Sequence, residues 1–385
     1  MSDVQWLFLV LALLYAWECA CWLRPGSVAF TTWFGRRWRI RHPGTLAGND
    51  KGGFIPVAPL PPLGTLLTTA QLPFSCSPDA LLGFVSTNVN PGPRSSQTSQ
   101  LFRFDDINEV RAKGKNVLIN GRRFLRAGSQ WRASQLVSQI KRLRELKRDQ
   151  RESAITALHL ECFDTKALEQ RWAGLRQTAR PLRLLANAIV ALVFVVAPVL
   201  IWTLGFALSW IGLLATLLVL DVTTAIFFYI AHKKLFPRAD DERFTHTLTV
   251  LLSPASAMRA HDALTRQALE MFHPLAAATL FLPKPAVERF ARRVLLDIRH
   301  PALPQCPSND ATTLEAERHT RAALQMAVEE LLKQHSFDVE KLCRPPSPTD
   351  ESCCAYCPRC GEQFTTVTAR CSDCGGLPVV AFDRQ

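Results

Sequence analysis

Two stretches of the chain are almost free of charged residues, and they constrain the fold more than any other feature. The first covers residues 4–23 and the second residues 185–231; each contains one acid, Glu18 and Asp221 respectively, and no Lys or Arg. A bilayer core about 30 Å thick is crossed by roughly 20 apolar helical residues. The second stretch is therefore long enough for two crossings joined by a turn at residues 205–209. The sequence predicts three transmembrane helices, at residues 4–23, 184–204 and 210–231.

The first stretch is predicted to be a retained membrane anchor. A secretory signal begins with a basic segment, whereas residues 1–6 contain Asp3 and no Lys or Arg. A lipoprotein signal places small residues before its cysteine, but Trp17 and Glu18 precede Cys19.

The distribution of charge predicts the orientation of the chain. Residues 24–180 contain 25 Lys and Arg against 11 Asp and Glu, and the net charge of +12 comes from this part. Basic segments that flank spans stay on the cytoplasmic side. We therefore expect a plasma (inner) membrane protein with the N-terminus outside and both large segments in the cytoplasm. Such charge is attracted to anionic lipid headgroups, and nothing in the sequence supports a nucleic-acid partner.

Residues 24–182 are predicted to form a basic cytoplasmic α+β domain. Two short strand-like runs flank Asn120-Gly121, the dipeptide that best adopts the two positive φ angles of a hairpin turn. An amphipathic helix follows, on which basic residues surround an apolar stripe made of Leu136, Val137, Ile140 and Leu143. This order resembles the bacterial pleckstrin-homology-like fold, in which a helix closes a sheet. Two interpretations of the basic helix stay open: contact with lipid headgroups, or an ordinary solvated face.

Residues 232–343 are predicted to be a cytoplasmic helical region. Ser253-Pro254 is typical of a helix start, and the apolar pattern then runs to Phe272. A second helix is expected from Pro285 to Pro301. Residues 312–315 have the composition of a capping box and predict a third. The Pro-rich residues 344–355 are expected to be a linker.

The most specific motif lies in the final segment, residues 356–382. Two Cys-x-x-Cys-Gly units supply Cys357, Cys360, Cys371 and Cys374. Two intervening residues let one turn aim both thiolates at the same ion, and two such units give the tetrahedral Cys₄ shell of structural zinc. The cytoplasm keeps thiols reduced, so disulfides are not expected. The sequence predicts a structural Zn²⁺ site with these four ligands.

These motifs resemble the zinc ribbons that end many bacterial membrane and regulatory proteins, where they serve as structural or protein-binding modules. Strands are expected at residues 362–368 and 377–382. Iron takes the same ligand set, and one Cys-x-x-Cys pair alone fits a redox site, so these alternatives stay open. The adjacent Cys353 and Cys354 lack the spacing of ligands and are interpreted as spare thiols.

The intramembrane acids Asp221 and Glu18 admit two interpretations. An ionisable group costs at least about 2.5 kcal/mol at that depth and therefore faces protein or water. Either these acids form a proton or cation site, or they join helices through hydrogen bonds, with Thr223 and Thr224 as candidate partners of Asp221.

The sequence as a whole predicts a multi-domain α+β membrane protein and gives no clear sign of an enzyme. It contains no Gly-rich phosphate loop, no His-Glu-x-x-His and no Gly-x-Ser-x-Gly. Residues 357–385 contain three basic residues, too few for binding nucleic acid through phosphate contacts. We expect a membrane-anchored adaptor or assembly factor for an unidentified cytoplasmic protein. The alternative is a subunit of a transporter or membrane enzyme that uses Asp221 and Glu18.

Overall fold

The structure is a computed structural model that describes residues 28–33, 38–41, 63–68, 74–85, 98–204, 206–237, 239–301 and 310–382, together with residues 5, 6, 9, 10 and 13. Those five N-terminal residues are helical. The rest of the predicted first span, including Glu18, lies outside the described residues. The described part mixes helix and sheet, as the sequence predicts.

The described part of residues 24–182 begins with strands that form three antiparallel sheets. Their orders are β2-β1-β3, β4-β5-β6 and β7-β8-β9. The strands are β1 (Val28–Trp33), β2 (Trp38–Arg41), β3 (Leu63–Thr68), β4 (Phe74–Cys76), β5 (Ala80–Val85), β6 (Thr98–Arg103), β7 (Val110–Lys113), β8 (Asn116–Ile119) and β9 (Arg122–Arg126).

The predicted hairpin and the helix after it are both confirmed. Asn120 and Gly121 join β8 to β9 with φ angles of 49° and 76°, as a type I′ turn requires. Helix α1 (Gln130–Glu145) starts at Ser129, whose side chain accepts a hydrogen bond from the backbone N–H of Arg132. All four residues of its predicted apolar stripe are buried and share a core with the two sheets β4–β6 and β7–β9.

Gly83 allows β9 to approach β5 closely. A Cβ atom at this position would lie 2.5 Å from the ring of Phe124 and 2.7 Å from its carbonyl oxygen. The Phe124 ring fills the space between Phe74 and Phe102, at centroid distances of 6.0 and 5.8 Å. The absence of a side chain at Gly83 is therefore what lets the two sheets share one core.

The second apolar stretch, residues 185–231, belongs to a helical hairpin that begins about 20 residues earlier, at Thr165. Helices α3 (Thr165–Ala191) and α4 (Ala197–Leu204) make the first arm, and α5 (Phe206–Leu235) makes the second. By length and composition, Thr165–Leu204 and Trp210–Leu235 are both able to cross a membrane. Helix α5 starts at Phe206, so residues 206–209 of the predicted turn are helical.

A π-helical segment, Leu192–Val196, separates α3 from α4. Pro198 lies two residues after this segment and has no N–H to donate to the carbonyl of Phe194. The missing hydrogen bond accounts for an irregular turn at this point.

The boundaries of the helices after the hairpin agree in part with those predicted from the sequence. The first predicted helix is interrupted at Arg259, where φ is −105° and ψ is 3°, although Ser253 caps its start as expected. The second prediction is confirmed. The third helix begins earlier than predicted, because Asp310 and not Thr312 accepts the hydrogen bonds at its N-terminus. The helices that complete the chain are α2 (Arg148–Glu161), α6 (Asp240–Leu252), α7 (Pro254–Met258), α8 (Ala260–Leu269), α9 (Pro274–Phe281), α10 (Lys284–Arg299), α11 (Ala311–Gln334) and α12 (Val339–Cys343).

Residues before and after the hairpin pack into one another. Ala323 of α11 lies in the core of the sheets and α1. The hydroxyl of Thr320 accepts a hydrogen bond from the backbone N–H of Cys76 at 2.7 Å and donates to its carbonyl at 3.2 Å. The sheets and the later helices are therefore in direct contact.

We predict that Gly83→Ala destabilises the protein by about 1–3 kcal/mol, the usual cost of an overpacked core, because the new methyl group meets backbone at Phe124. The matched control is Gly174→Ala. Gly174 lies in α3 with no atom near its Cβ position, so alanine there should raise stability by about 0.5–1 kcal/mol. Thermal unfolding in detergent measures both. Equal effects of the two substitutions would contradict the close approach.

Candidate metal centre and a polar cavity

The four predicted ligands converge on one point. The sulfur atoms of Cys357, Cys360, Cys371 and Cys374 all lie within 4.8 Å of one another, and those of Cys360 and Cys371 are 3.6 Å apart. Two thiolates on one tetrahedral zinc ion, with Zn–S near 2.3 Å, stand about 3.8 Å apart. The cluster therefore fits a metal ion, plausibly zinc.

Glycine after each pair of cysteines closes the turn that aims them. Gly361 has a φ of 79° and donates its backbone N–H to the carbonyl of Cys357 at 2.9 Å. Gly376 has a φ of 82° and donates in the same way to Cys371 at 2.9 Å, while Gly375 before it also has a positive φ. Residues with side chains rarely adopt these angles, which explains the Gly in both units.

Very short strands hold the two turns together. The middle strand of one sheet is β10 (Ala355–Tyr356), which pairs with β11 (Gln363–Phe364) and with β14 (Val380–Ala381). A second pair joins β12 (Arg370–Cys371) to β13 (Leu377–Pro378). The two predicted strands are thus shorter than expected. The buried cluster of this segment consists of three cysteines and Leu377, with Phe364 packed against it.

The protonation of the thiols is set by burial and by nearby backbone donors. Burial raises the pKa of Cys374 to about 12 and raises that of Cys360 still further. Burial opposes ionisation of Cys357 too, but hydrogen bonds from the backbone N–H groups of Cys360 and Arg359 and from the thiols of Cys360 and Cys374 together lower the pKa of Cys357. Metal binding requires deprotonated thiols, so a bound cation would favour the thiolate form of these ligands.

Cys353 and Cys354 point elsewhere. The thiol of Cys353 lies 3.5 Å from the hydroxyl of Thr349, and that of Cys354 donates to the carbonyl of Phe364 at 3.7 Å. Neither belongs to the metal cluster found in the described part of the chain. Their positions match their interpretation as spare thiols.

The ribbon, defined as residues 355–382, is fastened to the helices by an ion pair. The guanidinium Nε of Arg359, between the first two ligands, lies 2.6 Å from the carboxylate of Asp297 in α10. On its other side, Gln363 accepts a hydrogen bond from the N–H of Thr349 and donates to the carbonyl of Ser347. The predicted linker therefore folds back onto the ribbon.

Asp221 faces protein on α5. The residue is 5% exposed, and its Oδ1 atom finds no partner among the described residues. The expected partners are occupied, because Thr223 and Thr224 donate to the carbonyls of Val219 and Leu220 in their own helix. The hydroxyl protons of both candidate partners are therefore used within their own helix and are not donated to Asp221.

A polar cavity that no sequence pattern predicted lies between the sheets and the helices. It has a volume of about 260 Å³. Glu242 of α6 is its most buried charge, with 3% of its side chain exposed, and Lys115 of the β7–β8 turn lies 3.0 Å from it. The same carboxylate accepts hydrogen bonds from the N–H of Gln130 and the amide of Gln267.

Two further groups line this cavity. Glu270, directly after α8, accepts a hydrogen bond from the hydroxyl of Ser129 at 2.8 Å. Its carboxylate lies so close to Gly128 that a Cβ atom there would not fit unless the carboxylate moved. Burial, helped by Lys115, lowers the pKa of His246, which favours its neutral form. The residues that line the cavity come from segments far apart in the sequence, so no local sequence motif predicts the cavity.

Comparison of the chain with family models, with curated proteins and with solved structures finds no match. The resemblance to zinc ribbons is thus carried by the cysteine geometry alone.

We predict that Cys357→Ser removes about one metal ion per chain and exposes the ribbon to proteases, because so small a core depends on its metal for folding. The matched control is Cys353→Ser, which should keep both the metal and the resistance. Metal analysis of the purified proteins checks this and separates zinc from iron. Unchanged metal in Cys357→Ser would contradict the ligand assignment.

Proposed function

We propose that the chain is an integral membrane protein whose structural zinc ribbon, carried on a cytoplasmic helical body, serves as an adaptor or assembly surface for a cytoplasmic protein. The observation that carries the proposal is the clustering of four thiols in a module that is fastened to helices next to an exposed apolar hairpin.

A membrane location is supported by the surface of the hairpin. Trp202 is 90% exposed and Ile211 is 71% exposed, and further large apolar side chains of α4 and α5 are exposed along both helices. Monomeric soluble proteins rarely expose contiguous apolar patches larger than a few hundred Å². Exposure of these apolar side chains to water is unfavourable, whereas their contact with lipid acyl chains is not.

The proposed topology is supported by contacts across the hairpin. Two spans in succession return the chain to the side from which it left. The hydrogen bonds between Thr320 and Cys76 join the segments on either side of them, which requires both segments on one side of the membrane. The excess of basic residues in residues 24–180 favours the cytoplasmic side.

Anionic headgroups are the proposed lipid partner of the basic segment, although part of its charge is used within the fold. Arg144 donates to the carbonyl of Asn108, and Arg151 lies over the ring of Phe104. Lys141 and Arg142 remain exposed on α1. These two side chains are the ones on this helix best placed for headgroup contact.

The adaptor role is tested by partner capture in mild detergent followed by mass spectrometry. We expect a cytoplasmic protein that co-purifies with the wild type and with Cys353→Ser but is lost from Cys357→Ser together with the metal. The two variants differ in whether the metal ligand set is intact, because the control removes a thiol that is not a ligand and lies only a few residues away. A difference in partner capture between them therefore reports on the folded ribbon. A partner set that does not change when the metal is lost would contradict an adaptor role for the ribbon.

The second candidate function, a subunit of a transporter or membrane enzyme, is favoured by one observation. Asp221 is buried in the hairpin with an unpartnered carboxylate oxygen among the described residues. An acid kept at membrane depth is expensive, and such residues commonly mark ion or proton pathways.

For Asp221→Asn, the adaptor proposal predicts unchanged partner capture and unchanged cellular phenotype, because the amide has nearly the same shape. A proton-coupled subunit would lose its activity, since the amide cannot ionise. Thermal unfolding of the variant serves as the control for folding. Loss of phenotype in a well-folded variant would favour the second candidate.

A further inference from the structure

Helix α6, which follows the second arm of the hairpin, carries an exposed apolar face. Residues 244–252 contain no Asp, Glu, Lys or Arg. Phe244 is 69% exposed and Leu252 is 73% exposed, and Leu248 and Leu251 lie exposed between them. The spacing of these four residues places them on one side of the helix.

The opposite side of α6 packs on the end of α5. The ring of His246 lies 6.3 Å from that of His232 and 6.4 Å from that of Phe228. The guanidinium of Arg243 lies over the ring of Tyr229 at 5.4 Å, and Val250 shares a buried cluster with Ala225. Since residues later in α6 meet residues earlier in α5, the two helices run antiparallel.

The charges at this end of the molecule mark a boundary. Lys233 and Lys234 are exposed at the end of α5, and Asp240 and Asp241 are exposed at the start of α6. Beyond them the exposed surface of both helices is mainly apolar. Tyr229, which lies beside Arg243 of α6, is exposed on α5, as are Phe227 and Ile230.

The exposed hydroxyl groups of α6 have partners within the helix. Thr245 donates to the carbonyl of Asp241 at 3.0 Å, and Thr249 donates to that of Thr245 at 2.8 Å. Thr216 and Thr223 of α5 do the same. Polar groups in contact with lipid have to be satisfied internally, as these four are. The Oγ1 atom of Thr247, which is itself buried, finds no partner among the described residues.

We infer that α6 inserts its outer face into the membrane beside α5, in the leaflet on the side of the sheets. Phospholipid acyl chains then cover Phe244, Leu248, Leu251 and Leu252. The inference rests on the proposed membrane location of the hairpin and adds a third lipid-contacting element to it. Nine residues of helix extend about 13 Å, close to half of a bilayer core of about 30 Å. Helix α6 is thus too short to cross the bilayer, and the chain returns to the same side after Leu252.

The polar cavity lies on the other side of α6 from this apolar face. Glu242 and His246 are on the inner side of α6, facing Lys115 and Gln267. One helix therefore separates acyl chains on its outer side from a polar cavity on its inner side.

The experiment uses the full-length protein with the photocrosslinking residue p-benzoylphenylalanine at single positions, reconstituted in vesicles of phosphatidylethanolamine and phosphatidylglycerol. The test positions replace Phe244 and Leu252. Trp202, on the hairpin, is the positive control. Met326, which is 56% exposed on α11, is the control outside the proposed membrane-contacting surface. After irradiation, mass spectrometry measures the yield of phospholipid adducts.

Lipid adducts at positions 244 and 252 severalfold above position 326 are expected. Yields at 244 and 252 no greater than at 326, with adducts at 202, would overturn the inference and leave the proposed hairpin intact. Crosslinks from 244 or 252 to a second protein chain would overturn it as well. Absence of lipid adducts at position 202 would contradict the proposed membrane location itself, and with it the inference.

Discussion

The apolar surface of the hairpin is the constraint on which the rest of the structure depends. Burial of one large aliphatic or aromatic side chain is worth about 1.5–3 kcal/mol, and α4 and α5 leave many such side chains exposed. No other part of the described chain covers them. Lipid is the simplest cover, and it explains why polar and charged contacts are concentrated at the base of the hairpin and not along it.

The base of the hairpin joins it to the sheets through a few polar contacts. Arg171 lies over Trp131 and Phe236 and donates to the carbonyl of Leu235, so α1, α3 and the end of α5 meet at one guanidinium. Nearby, Glu242 binds Lys115, Gln130 and Gln267. A buried carboxylate is costly unless it is paired. These contacts therefore join the sheets to the base of the hairpin. The ribbon is joined to helix α10 separately, through the ion pair between Arg359 and Asp297.

Sequence patterns predicted those structural features that are determined by residues close together in the chain. The turn at Asn120-Gly121, the apolar stripe of α1 and the four thiols each follow from spacing within a few residues. Helix α6 was missed because its apolar face is outward and its inner face carries Glu242 and His246, the reverse of an ordinary surface helix. The cavity and the interruption at Arg259 depend on contacts between distant segments. The cap at Asp310 was missed because Thr312 offered an equally good local signal.

Protease access to a C-terminal tag, compared between intact cells and inside-out membrane vesicles, tests the central claim most directly. With the hairpin in the membrane and both large segments in the cytoplasm, a tag after Gln385 should be cleaved only in inside-out vesicles. The protein should also stay with the membranes after an alkaline wash. Cleavage of the tag in intact cells, or recovery of the protein in solution without detergent, would contradict the account.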